Sequence, residues 1–146
     1  MTGLYTWLRF LHIVGLVAFV MPHGVNAAVS FAVRGPVTAQ TRRLLALSQQ
    51  ANFGSYPGLL LLVVTGVWMG FLGSWWGQKW IWTAIVVLVL VAVAMGGLAR
   101  PYYLAREAKD DAATGERLSK ARPVAAAAVG GVGLLILIFL MVFKPF

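Results

Sequence analysis

The chain has 146 residues, 60% of them hydrophobic and only 11% charged, with a mean hydropathy of +0.83. A water-soluble domain carries about 25% charged residues, so this composition belongs in lipid. The absence of cysteine excludes disulfides, thiolate zinc sites, iron–sulfur clusters and thiolate nucleophiles, leaving histidine, methionine or oxygen for any metal chemistry. Twelve Lys and Arg against four Asp and Glu give a net charge of +8. In a soluble chain that excess would suggest nucleic acid. In a membrane protein, loop charge accounts for it, and no nucleic-acid partner is expected.

Four stretches are free of Asp, Glu, Lys and Arg: Phe10–Val33, Leu44–Gln78, Trp80–Ala99 and Pro123–Phe143. Each is long enough to cross a bilayer, since about 20 apolar residues rising 1.5 Å each cover roughly 30 Å of hydrocarbon. The expected spans are residues 4–32, 55–74, 79–99 and 123–143. The polar stretch Leu44–Asn52 is read as an amphipathic turn before the second span, with Pro57 near that span's start, where its missing donor costs little. No basic stretch precedes the first apolar run, so it is read as a retained helix. The expected fold is all-α, an integral membrane four-helix bundle forming a single domain over residues 1–146.

Nine Lys and Arg fall between spans one and two or three and four, and three (Arg9, Lys79 and Lys144) fall at the opposite ends. By the excess of positive charge on the cytoplasmic side, both termini should face outward from an inner (plasma) membrane. Trp7, Trp75, Trp76, Trp80 and Trp82 all sit at the outer boundary, the level that indole prefers. All four acids, Glu107, Asp110, Asp111 and Glu116, lie in the third loop among bases, which reads as a solvated helical extension. Its bases could also meet anionic lipid headgroups. Gly66-x-x-x-Gly70, Ala126-x-x-x-Gly130 and Ala127-x-x-x-Gly131 are spacings that let helix backbones approach in lipid, within the chain or between copies.

The first span concentrates the polar residues on one face. Gly15, Phe19, His23, Asn26 and Ser30 all fall within about 60° of His12 at 100° per residue. An ionisable residue inside a span is costly and tends to mark a site, and histidine suits haem iron and copper. His12 and His23 are therefore candidate metal ligands. They are about 16 Å apart along the axis, too far to share one ion. Gly15 would let a flat macrocycle approach the backbone, and Arg9 or Lys79 could pair a propionate or reach lipid phosphate. Met21, Met69 and Met95 are second-ligand candidates, although methionine commonly fills gaps. The competing reading is that each histidine bonds a neighbouring helix through Ser55, Tyr56, Thr65 or Thr83.

Leu11-His12, Arg43-Leu44-Leu45, Gly66-Val67-Trp68 and Trp75-x-x-x-Lys79 follow in an order that resembles the membrane superfamily of copper-resistance D-type proteins and J-type protoporphyrinogen oxidases. The likeness covers roughly residues 4–95. It implies a four- or five-helix bundle whose first-span histidine, here His12, binds haem b or metal, with Lys79 near the reaction centre. The J-type oxidases carry an aromatic-glycine run after that histidine and another histidine late in span three. Here those positions read Phe19-Val20-Met21-Pro22-His23-Gly24 and Ala94-Met95-Gly96-Gly97, which implies a haem-binding relative with another role. The expected function is haem b or metal binding with electron transfer, and any enzymatic activity would be a haem-dependent membrane oxidoreductase. Alternatives are an accessory subunit of a respiratory or photosynthetic complex and, last, a small transporter, which would want an intramembrane acid. A homo-oligomer or membrane-complex partner is expected with either of the first two.

Overall fold

The computed structural model describes residues 2–145. Five α-helices and one 3-10 turn account for nearly all of them: α1 (Thr2–Ala32), α2 (Ala39–Leu72), the turn Trp75–Gly77, α3 (Lys79–Glu107), α4 (Asp111–Ser119) and α5 (Pro123–Phe143). The protein is all-helical, and α1, α2, α3 and α5 are long and apolar enough to cross a membrane. The expected first and fourth spans coincide with α1 and α5 to within a few residues.

Helices α2 and α3 extend beyond the second and third expected spans. Helix α2 starts sixteen residues before the expected position 55, so Leu44–Asn52 is helical and Pro57 lies inside the helix. The cause is a cap. Thr38 Oγ1 accepts from the Thr41 amide at 3.3 Å, and Thr41 Oγ1 accepts from the Thr38 amide at 3.1 Å. This reciprocal pair is a capping box with threonine in place of the usual Glu or Gln. Along α2, Thr41, Leu45, Ser48, Ser55, Gly58, Thr65 and Met69 are buried, recurring at multiples of the helical period. Helix α3 likewise continues through Pro101 to Glu107, beyond the expected position 99. Proline removes one intrahelical donor, yet membrane helices tolerate it because neighbouring groups take up the freed carbonyl.

Contacts divide the chain into two compact units, Met1–Asn26 with Ser48–Gln78, and Ala27–Leu47 with Lys79–Phe146. The first unit is an antiparallel pairing of α1 with α2, closed by the turn at 75–77. Ser74 adopts the left-handed conformation there (φ 53°), directly after Gly73. Tyr5 meets Trp75 edge-on at 6.1 Å, and the Trp76 indole lies over Gly70, where a Cβ would come within 3.1 Å of the ring.

The second unit contains α3, α4 and α5 with the end of α1 and the beginning of α2. Helix α5 packs on α3 through Gly133, where a Cβ would strike the Val91 side chain at 2.5 Å, and through Gly130 beside Met95. Its larger residues Ile136 and Phe139 are exposed, as expected of a face turned to lipid or to another subunit. The third loop is the helical extension read from its mixed charges. Asp110 caps α4 by accepting from the Ala113 amide at 2.7 Å, and Asp111 pairs with Arg42 at 2.6 Å. That ion pair, with Val37 against Gly115, brings the two basic loops to one end of this unit. At the other end Lys144, left-handed at φ 44°, closes α5 by donating to the Leu140 carbonyl and lies 5.3 Å from the Trp80 ring.

Candidate functional site

From His12 to Asn26, the polar stripe of α1 faces α2 within the first unit. Along the antiparallel register, His12 lies beside Thr65 and Gly66, Gly15 against Leu62 and Gly58, Phe19 against Gly58, and Asn26 opposite Ser48. At the crossing the backbones touch. A Cβ on Gly15 would stand 2.8 Å from the Leu62 amide nitrogen, and one on Gly58 would stand 2.6 Å from that of Phe19. Backbone approach of this kind is how helices gain packing where lipid offers no hydrophobic drive. Gly15 thus serves the helix contact, and the space expected there for a flat macrocycle is filled by α2.

His12 is half-buried and its Nδ1 lies 3.0 Å from Thr65 Oγ1. The threonine hydroxyl directs its one proton to the Leu61 carbonyl at 2.6 Å. With the hydroxyl proton so placed, Thr65 Oγ1 accepts and Nδ1 carries the hydrogen. This assignment rests on the bonding pattern. It leaves Nε2 with its lone pair. Gly66 makes room for the ring, since a Cβ there would come 3.0 Å from the imidazole Cε1. The pair Gly66 and Gly70 thus accommodates two planar side chains, His12 and Trp76, inside one unit.

Of the four hydroxyl partners expected for the histidines, Thr65 is the one used by His12. Ser55 bonds the Asn52 carbonyl, Thr83 bonds the Lys79 carbonyl, and Tyr56 is exposed. His23 turns to its own helix, its Nδ1 donating to the Phe19 carbonyl at 2.6 Å while the ring lies 4.3 Å from the Phe19 ring. Pro22, one residue earlier, cannot donate to the Ala18 carbonyl. Arg9 is exposed one turn before His12, while Lys79 opens α3 and belongs to the other unit. Of the methionines, Met21 is exposed, Met69 is buried on α2, and Met95 is used against Gly130.

Among the described residues there is no cluster of three or more His, Cys, Asp or Glu able to hold a bare metal ion. Sequence reasoning named Thr65 among four hydroxyl partners without singling it out, and missed Ser48 as the partner of Asn26. Both lie on the buried period of α2, which is the signal that would have found them. No protein-family model, no curated protein and no solved structure matches this chain.

Proposed function

We propose that this multi-pass membrane protein binds haem b through His12 and takes part in electron transfer. The observation that supports the reading is the His12–Thr65 hydrogen bond, which agrees with an Nδ1–H tautomer whose Nε2 keeps its lone pair. A second-shell acceptor on one ring nitrogen is the usual means of orienting a metal-ligating histidine. Haem b supplies one-electron chemistry at its iron. The chain's part is to present Nε2 from His12, to hold the ring by Thr65 and the room at Gly66, and to offer Arg9 to a carboxylate one turn nearer the N-terminus. His23 is about 16 Å away along α1 and would not hold the same group. Any further ligand to that group would come from a second copy or a neighbouring subunit.

The test is an optical spectrum with iron analysis on protein purified in detergent and incubated with haemin. Wild type should give a Soret band and split visible bands on reduction, and His12→Ala should lose them. Thr65→Val should keep the spectrum but weaken haem affinity by about 10- to 100-fold, the range for loss of a second-shell partner. Retention of colour in His12→Ala with loss in His23→Ala would move the site to His23. A colourless wild type would reject haem binding and leave the accessory-subunit reading.

A further inference from the structure

The second unit contains a cavity of ≈ 410 Å³ at the end where the basic loops meet. Its walls come from the end of α1 and the following turn (Ser30, Val33, Arg34), from Tyr102 on α3, and from α4 and the start of α5 (Ser119, Pro123). The volume is within the range of about 300–1,000 Å³ typical of small-molecule sites. None of the lining residues is a carboxylate. The nearby acids have other roles: Asp110 caps α4, Asp111 pairs with Arg42, and Glu116 pairs with Lys120 at 2.8 Å.

The lining is rich in donors. The Tyr102 hydroxyl is buried and has no hydrogen-bond partner among the described residues. Ser30 Oγ is its polar neighbour, and the serine proton goes to the Ala27 carbonyl at 2.7 Å. A buried hydroxyl without a partner is costly, so its presence on a cavity wall is a reason to look for an acceptor there. Arg34 supplies the cation at the same wall. Pro123 opens the 21-residue helix α5, whose first-turn amides lack a side-chain cap. Helix N-termini of this kind favour anions. Val33, Leu118 and Pro123 give the cavity an apolar side.

We propose that this cavity binds the phosphate of an anionic phospholipid headgroup, with Arg34 as counter-charge and Tyr102 as hydrogen-bond donor to a phosphate oxygen. Its place at the ends of the spans, among basic loops, is the level at which basic pockets between membrane helices take lipid headgroups. The apolar wall suits the glycerol and the start of an acyl chain. This site is in a different unit from His12 and does not depend on haem binding.

Native mass spectrometry of the whole protein, released from detergent after incubation with phosphatidylglycerol or phosphatidylcholine, tests the proposal. Wild type should retain one phosphatidylglycerol in preference to phosphatidylcholine. Arg34→Gln should lower that retention about tenfold, in keeping with loss of a charge-assisted hydrogen bond. Tyr102→Phe should lower it less, and Arg34→Lys should restore part of it. Arg43→Gln, which changes a base in the second turn of α2 outside the cavity lining, should leave retention unchanged. Competition by glycerol phosphate or inorganic phosphate would also support a phosphate site and would identify its source as soluble. Equal retention of the two lipids, equal loss in Arg34→Gln and Arg43→Gln, or unchanged retention in both Arg34→Gln and Tyr102→Phe would overturn the proposal. Circular dichroism melts of each variant separate lost binding from lost folding.

Discussion

The first unit is held by closeness and the second, at its loop end, by charge and caps. Between α1 and α2 the decisive residues are Gly15 and Gly58, whose missing side chains let two backbones touch, with His12–Thr65 and Asn26–Ser48 as polar links on either side. At the loop end of the second unit the decisive residues are Arg42 with Asp111, Asp110 capping α4, and Arg106 donating to the Leu45 carbonyl at 3.1 Å. The contrast follows the solvent each region meets. Within hydrocarbon, apolar side chains gain little by leaving lipid for protein, so steric fit and satisfied polar groups decide association. Where loops meet water, electrostatics is screened, and each pair contributes little alone.

If that contrast is right, the largest effect comes from filling the helix crossing. Gly58→Ala places a methyl group against the backbone of Ala18 and Phe19 at 2.6–2.7 Å, where no flexible side chain can yield. Overpacking of this kind costs about 1–3 kcal/mol. Thermal unfolding in detergent should show a clear drop for Gly58→Ala and for Gly15→Ala. Gly97→Ala, at a position with nothing within 4 Å of the new Cβ, should be neutral or slightly stabilising, because alanine is the better helix former. Equal stability of Gly58→Ala and Gly97→Ala would mean that the close approach contributes nothing.

The cap of α2 comes next. Thr38→Ala removes both the acceptor for the Thr41 amide and one partner of the Thr41 hydroxyl, and should cost about 1 kcal/mol, as N-cap losses do. Hydrogen exchange sharpens the test: amides at 39–42 should lose protection while those on α2 beyond Ser48 keep it. Uniform loss along α2 would show that the helix has no separate capped beginning.

A smaller effect is expected from the polar link in the first unit. A double-mutant cycle on His12→Ala and Thr65→Val should give a coupling of about 0.6 kcal/mol, the average for interhelical hydrogen bonds in a membrane. A coupling near zero would remove the orienting role of Thr65 and with it the tautomer argument for His12.

The parts of this molecule that the sequence reveals are those governed by length and polarity. Charge-free runs of about twenty residues locate α1 and α5 closely, and the stripe on α1 identifies the face that meets α2. The start of α2 was hidden because Ser48, Gln49, Gln50 and Asn52 look too polar for a span, although Thr38 and Thr41 are separated by the spacing of a capping box. The end of α3 was hidden by Pro101, which ends most helices in water and not this one. Gly15 illustrates a different limit. Its small size was legible, but what fills the space above it depends on the register of α2, which only the fold sets. Tyr102 carries no local signal at all, because its unpartnered hydroxyl arises from residues far apart in the chain.

The smallest effect belongs to the solvated face of α4. Glu116 accepts from Lys120 at 2.8 Å one turn later, and this hydrogen bond, then the charges of Lys120 and Arg117, hold its carboxyl below the usual value of 4.5. A carboxylate whose folded value is depressed contributes stability above the unfolded value, and that contribution is lost as pH falls through the folded value. The window here is therefore acidic, beginning near pH 4.5 and extending below it, with no change expected across neutral pH. The pair is an exposed i, i+4 contact with both side chains largely open to water, so global unfolding should barely register it. A carbon-13 titration of the Glu116 carboxyl is the appropriate measurement. Its midpoint should lie below 4.5 in wild type and rise in Lys120→Gln, with a smaller rise in Arg117→Gln. An unchanged midpoint in Lys120→Gln would mean that the two side chains do not hold each other in solution, leaving Arg42–Asp111 as the salt bridge of the loop end.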